Sequence, residues 1–218
     1  MENSNTDHYK VLLFGVTGGT GSLIAGRLLA GGNKVAAIAR HPESVALRHP
    51  ELQIRKGDLL QPETYADLIT NSDVVISAVG DRSGKPTTLY SEGVKNILRA
   101  MEGSGCKRLI CISACPVEIN PEVVFWLRWL MKYVVQKLFK HGYADLRVME
   151  SLIKGSDINW TIIRPPMLKD KPPTDKYKIA ISRHLRKPFS ITRADLANYI
   201  AGIVGRPETF KSVIEIAN

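Results

Sequence analysis

Residues 15–22, GVTGGTGS, place glycines and hydroxyl side chains where an apolar run, Val11-Leu12-Leu13-Phe14, gives way to helical spacing from Leu23 to Leu29. The glycines fall as Gly15-x-x-Gly18-x-x-Gly21, with Gly19 beside the second. In a strand–turn–helix setting, three demands each exclude a side chain: a tight turn, close approach of backbone to a pyrophosphate, and close packing of helix on strand. The helix start offers N–H groups that have no intrahelical acceptor, together with the positive end of its dipole. Thr17, Thr20 and Ser22 add hydroxyl donors. The segment reads as a dinucleotide phosphate loop, against the plainer reading of a glycine-rich turn that binds nothing. Gly31-Gly32 reads as the end of the helix and a turn.

Further along, side chains fall where such a ligand would reach. Arg40 follows the second apolar run, Lys34–Ala39, at the place where an acidic residue takes the ribose hydroxyls of NAD. Arginine suits a 2′-phosphate through charge-assisted, often bidentate hydrogen bonds, so NADP is favoured over NAD; the alternative is a solvated surface arginine. Asp58, after the third run, Leu52–Arg55, is placed to reach an adenine amino group or to cap a turn. Ala78-Val79-Gly80, ending the fourth run, would border the adenosine ribose and phosphates where the strand order reverses.

The elements that must hold these residues alternate. Strands are expected at 11–14, 34–39, 52–55, 74–79, 109–113, 160–163 and 213–216, and helices at 23–29, 62–70, 88–102, 122–140, 144–154 and 194–204. That order predicts a Rossmann-type doubly wound parallel sheet with helices on both faces, in a single domain over residues 10–218. The polar start, residues 1–9, is expected to be a disordered tail and carries no secretory-signal pattern. The 218 residues are 44% hydrophobic and 23% charged, ordinary for a globular chain. No apolar run reaches the roughly 18 residues that cross a membrane. Cys106, Cys111 and Cys115 form an odd set without zinc spacing, so no metal site is expected; free thiols in a reducing cytoplasm are. The net charge of +9 suits an anionic small molecule, and no helix-turn-helix, zinc-finger or RNA-reading motif supports a nucleic-acid partner.

Taken together, GVTGGTG, PTTLYSEGVKNILRAM at 86–101, CISA at 111–114, YADLRVME at 143–150, INWTIIRPPML at 158–168 and ITRADLA at 191–197 resemble the atypical short-chain dehydrogenase/reductase group with NmrA-like NAD(P)-binding domains. Within it, the chain is similar to the biliverdin reductase B and flavin reductase relatives. The resemblance implies NADPH and a flat, conjugated acceptor stacked on the nicotinamide. It puts Arg40 and Ser44 on the 2′-phosphate, Asp58 and Leu59 at the adenine, and Gly80 and Arg82 on the diphosphate side. Ser113 falls at the nicotinamide, with Pro165, Pro166 and Met167 at its far edge. Met167 stands where those relatives carry histidine.

Short-chain dehydrogenases also use a Tyr-x-x-x-Lys pair, whose lysine lowers the tyrosine pKa so that the phenol protonates a developing alkoxide. Tyr133 and Lys137 have the spacing but lie in a very apolar stretch, where a packing tyrosine is the commoner case. Tyr143 aligns better, since Glu150 follows at the family's spacing, but its partner is Arg147, which is not equivalent to lysine. Ser113, Tyr143 and Arg147 are therefore the candidate catalytic set, with Tyr143 equally readable as structural.

The stretch 122–140 is apolar apart from a narrow stripe of Arg128, Lys132, Gln136 and Lys140. It reads as a lid or as a partner-contact helix, including a homodimer face; membrane contact is disfavoured. The cluster Arg183-His184-Leu185-Arg186-Lys187, with Lys169 and Lys171, is a solvated face or a greeting for an acidic substrate. Two function classes follow: an NADPH-dependent reductase of a flavin, quinone or related acceptor, or a non-catalytic NADP-binding sensor that docks a protein. A biosynthetic enzyme with a specialised substrate on the same fold is the third reading.

Overall fold

Continuous runs of Val, Ile and Leu have no polar face to give to water, so strands built from them belong in the middle of a layered molecule. In the computed structural model, which describes residues 8–81, 83–117, 140–186 and 188–218, they take that place. The strands are β1 (Lys10–Phe14), β2 (Lys34–Ala39), β3 (Leu52–Lys56), β4 (Val74–Ser77), β5 (Arg108–Ile112), β6 (Asn159–Arg164), β7 (Met167–Lys169), β8 (Lys178–Ile181), β9 (Ser190–Thr192) and β10 (Ser212–Ala217). Eight of them form one sheet in the order β3-β2-β1-β4-β5-β6-β10-β8. All neighbours run parallel except β8, which lies antiparallel on β10. β7 and β9 pair separately in parallel.

The helices are α1 (Gly19–Ala30), α2 (Ala66–Thr70), α3 (Leu89–Met101), α4 (Lys140–Lys154) and α5 (Arg193–Gly202). Alternation along β1 decides which face each helix covers. Val11 and Leu13 pack in one core with Ile24 and Leu28 of α1 and Leu196 and Ile200 of α5. Leu12 and Phe14 pack in the other with Ile97 and Met101 of α3 and Met149 and Ile153 of α4.

Register positions the site. Phe14 pairs with Ile38 on one side and Ser77 on the other, so β1, β2 and β4 end level. Ser77 pairs with Cys111, and Ile112 with Ile163, which brings the ends of β5 and β6 to the same edge. The order reverses between β1 and β4, where the connections leave toward opposite faces and open a crevice at the carboxyl edge.

Several expectations are corrected. The tail expected over 1–9 does not extend to Tyr9, which packs against the α1–α5 core and donates its N–H to Asn33 Oδ1 at 2.9 Å. β7, β8 and β9 were not expected, and α4 begins ahead of residue 144. Residues 1–7, Arg82, Lys187 and all of the 122–140 stretch except Lys140 lie outside the described residues, including Tyr133, Lys137 and the dimer or lid face. No helix among the described residues is long and apolar enough to cross a membrane.

Candidate functional site

The three motif glycines answer different demands. Gly15 has φ +88°, and a Cβ on it would stand 2.5 Å from Ala78 O. A Cβ on Gly21 would stand 2.1 Å from Gly15 O. Turn and helix–strand packing therefore require both. A Cβ on Gly18 would meet only Gly15 O, at 3.3 Å, so the bareness of Gly18 serves the cleft it lines more than the fold. The first turn of α1 holds no acidic residue, and Gly18, its N-cap, makes no side-chain cap. Ser22 N–H reaches Gly18 O at 2.9 Å, which leaves the N–H groups of Gly19, Thr20 and Gly21 ahead of that bond. Space and donors both fit a phosphate group.

Two hollows meet at this loop and share Thr17, Gly18, Ala78, Val79 and Gly80. The smaller, about 180 Å³, is lined on its far side by Arg40, Asp58 and Leu59, with Gly15 at its floor. Asp58 caps its turn, accepting from Leu60 N–H at 2.9 Å, while it lines the hollow. The larger, about 510 Å³, runs past Gly19 and Thr20 to Ser113, Tyr90, Tyr143, Pro165 and Pro166.

Three expected residues are not brought to either hollow. Ser44 is exposed on a 3₁₀ turn, and its hydroxyl donates to His41 O at 2.6 Å. Arg147 is exposed and turns away, with Nε donating to Val117 O at 3.1 Å. Met167 is 63% exposed, whereas Leu168 lines the cleft, because successive residues of β7 point to opposite faces.

Ser113 Oγ donates to Glu150 Oε1 at 2.6 Å. Glu150 is 3% exposed and accepts from Arg164 at both oxygens, 2.9 Å from Nε and 2.6 Å from Nη2, with Lys154 Nζ at 3.3 Å. Burial pushes the Glu150 carboxyl up, but the hydrogen bonds from Arg164 and Ser113 and the charges of Arg164 and Lys154 outweigh it and hold it below the ordinary value. The Ser113 proton is thus committed to a carboxylate, and toward the cleft Ser113 presents lone pairs.

Tyr143 and Tyr90 face the same cleft. Burial raises both phenols, and near Tyr143 the Cys115 thiol and the Tyr90 phenol push in the same direction. Asp145 holds the two helices together, accepting from Tyr90 N–H at 2.8 Å and Ser91 N–H at 3.3 Å in the first turn of α3. The cysteines are free and buried; burial pushes the Cys111 thiol up to about 12 and raises Cys106 and Cys115, which makes them poor nucleophiles.

Sequence reasoning missed Glu150 and Arg164 as a pair behind Ser113, Tyr90 in the wall, and Arg193, whose Nη1 donates to Thr20 Oγ1 at 3.0 Å. The i+3/i+4 patterns that expose local pairs do not exist for contacts between elements; ITRADLA was visible only as a motif.

Known proteins give the family. A family model described as NAD(P)H-binding matches residues 15–207. A chloroplastic protein of Arabidopsis thaliana, itself uncharacterized, is 33% identical over 76% of this chain; the chain spans 61% of that relative's length. Among solved structures, the oxidoreductase ylbE of Lactococcus lactis superposes with a TM-score of 0.79 at 22% identity, covering 96% of this chain and 90% of that one. The anaerobillin reductase ChuY of Escherichia coli O157:H7 gives 0.78 at 20% identity, covering 95% and 96%. A wide-type short-chain dehydrogenase/reductase of Veillonella parvula, in complex with NADP, gives 0.78 at 15% identity, covering 96% and 95%. With a glycine cradle that fits a phosphate, set at the reversal point of the sheet, and a family match over most of its length, this chain belongs to the NAD(P)H-binding family of Rossmann-type domains.

Proposed function

We propose that the protein is an NADPH-dependent reductase that passes a hydride to a flat, conjugated acceptor of the flavin or quinone class. The glycine loop and the N-terminus of α1 would hold the diphosphate, Arg40 the 2′-phosphate, and Asp58 and Leu59 the adenine side. When bound, the dinucleotide supplies the hydride. The 510 Å³ cleft lies within the usual range for small-molecule sites, roughly 300–1,000 Å³.

The observation that carries the reading is the proton inventory of the acceptor corner. Ser113 already donates its hydroxyl hydrogen bond to Glu150, Arg147 has turned to Val117 O, and burial raises the Tyr143 phenol, making it a weaker acid. Reduction of an isolated carbonyl wants a proton donor poised at the oxygen. A flavin or quinone becomes a delocalised anion on taking hydride and can collect its proton from water. Pro165, Pro166 and Leu168 offer an apolar wall for a ring system, and Ser113 a lone pair for an N–H or O–H of the ligand. The name of ChuY supports reductase chemistry on this fold, without carrying its substrate over.

The test mixes pure protein with NADPH and either FMN or a small quinone and follows loss of nicotinamide absorbance. Turnover is expected with a conjugated acceptor and not with a simple ketone, and Tyr143→Phe is expected to keep most of it. Cofactor binding without turnover on any acceptor would instead favour the sensor reading, and a complete loss in a folded Tyr143→Phe protein would restore a tyrosine proton donor.

A further inference from the structure

Among the described residues that line the larger cleft, Arg193 is the one cation. It opens α5, whose N-terminus is firmly mounted. Thr192 caps it by accepting from Asp195 N–H at 2.9 Å. The Asp195 carboxylate, fully buried, accepts from Thr174 N–H, Asp175 N–H and the Asn218 amide. From that mount the side chain crosses to α1. Its Cδ lies 3.3 Å from where a Cβ on Gly19 would stand, so Gly19 makes room for an arginine. Nη1 donates to Thr20 Oγ1 at 3.0 Å, in the first turn of α1, where the N–H groups point. Nε donates to Asp170 Oδ1 at 2.7 Å.

Asp170 is 82% exposed, and an ion pair so open to water is weakly held. A diphosphate at the start of α1 would offer the planar guanidinium fork paired anionic oxygens at higher total charge, which arginine binds bidentately. We propose that Arg193 is a ligand of the cofactor's diphosphate: it closes the phosphate loop from the α5 side, and Asp170 is the counter-ion it exchanges for phosphate oxygen. This rests on the dinucleotide reading of the loop and extends it. Arg193 and Arg40 sit in different hollows, so their effects separate. Arg40 should discriminate NADPH from NADH, whereas Arg193 should serve both alike.

The experiment titrates NADPH and NADH calorimetrically into wild type, Arg193→Ala, Arg193→Lys, Asp170→Asn and Arg40→Ala at two salt concentrations, with a thermal melt of each. Arg193→Ala should weaken both cofactors by the same factor, about tenfold, which is the size of one charge-assisted contact, and should flatten the salt dependence. Arg193→Lys keeps the charge without the fork and should fall between, and Asp170→Asn should bind at least as tightly as wild type. Unchanged affinities in Arg193→Ala and Arg193→Lys would overturn the inference while leaving the dinucleotide reading intact. The same holds if cofactor affinity is unchanged and only the KM for FMN rises relative to riboflavin, which would assign the guanidinium to an acceptor phosphate. A wild type that binds neither cofactor would overturn both.

Discussion

Arg40 stands where the second strand ends, exposed and facing the smaller hollow across from Asp58 and Leu59. Among the described residues, no hydrogen bond or ion pair ties its guanidinium down, in contrast to Arg108, whose buried guanidinium donates to Val204 O and Ile203 O. An exposed arginine at a selectivity position is worth its contact with a 2′-phosphate and little else. NADPH should therefore bind at least tenfold tighter than NADH, about 1.4 kcal/mol, and Arg40→Ala should bring the two affinities close together without lowering the melting temperature. Titration of both cofactors into both proteins checks this, and equal wild-type affinities would remove Arg40 from the site. The contrast with Ser44 and Met167 is instructive at the same scale. Met167 sits next to residues that line a hollow and Ser44 four residues from one, and local backbone geometry turned them away: a 3₁₀ turn for Ser44 and strand alternation for Met167. Position along the chain reaches the neighbourhood of a site, and the direction of the side chain depends on dihedrals that a motif does not carry.

At the scale of elements, α5 is the piece whose anchoring can be tested directly. Asp195 is buried, which by itself would push its carboxyl up, yet hydrogen bonds from Asn218, Asp175 N–H, Thr174 and Thr192 draw it down to about 2. Its folded pKa is thus depressed below the unfolded value, so its contribution is complete above the unfolded pKa and fades as pH falls through the folded one. The shift corresponds to on the order of 2 kcal/mol at neutral pH. Asp195→Asn should lower stability at pH 7, and the gap to wild type should narrow between about pH 4 and pH 2. Denaturant melts across that window check the sign; a gap that widens on acidification would be incompatible with it. The parallel strands of the main sheet were legible because most are short apolar runs bounded by turn residues, with β3, Leu-Gln-Ile-Arg-Lys, alternating instead, and the glycine loop because strand, turn and helix are adjacent in sequence. β8 was not: Lys178-Ile-Ala-Ile is four residues long on a sheet edge, with only Ala180 buried. The polar links were illegible for a different reason. Ser113 and Glu150 are 37 residues apart, and Thr20 and Arg193 are 173 apart, so only the folded sheet brings them together.

For the molecule as a whole, the crevice is formed by residues from every layer. Its walls draw on the ends of β1, β2, β4, β5 and β6, on α1 and α5 from one face, and on α3 and α4 from the other. A ligand lying across both hollows would therefore touch both hydrophobic cores, and unfolding of either would release it. Binding to the native state alone stabilises it by about 2.7 kcal/mol at a ligand concentration one hundred times Kd. For a chain of this size each kcal/mol moves the melting temperature by roughly 2–4 °C, so NADPH at that excess should raise it by about 5–10 °C. NADH at the same concentration should raise it by clearly less, since a tenfold weaker Kd removes about 1.4 kcal/mol of linkage. The chain's charge of +9 adds a salt signature: on the proposed reading the NADPH shift should shrink as ionic strength rises, because the 2′-phosphate and diphosphate would meet cationic side chains that lie partly in water. Thermal melts with and without each cofactor, at low and high salt, measure all three effects. A single transition that moves as one unit is the expected form. Equal shifts for the two cofactors would argue against charge selection at Arg40, and a transition that splits on addition of NADPH would mean that the ligand grips only one of the two cores.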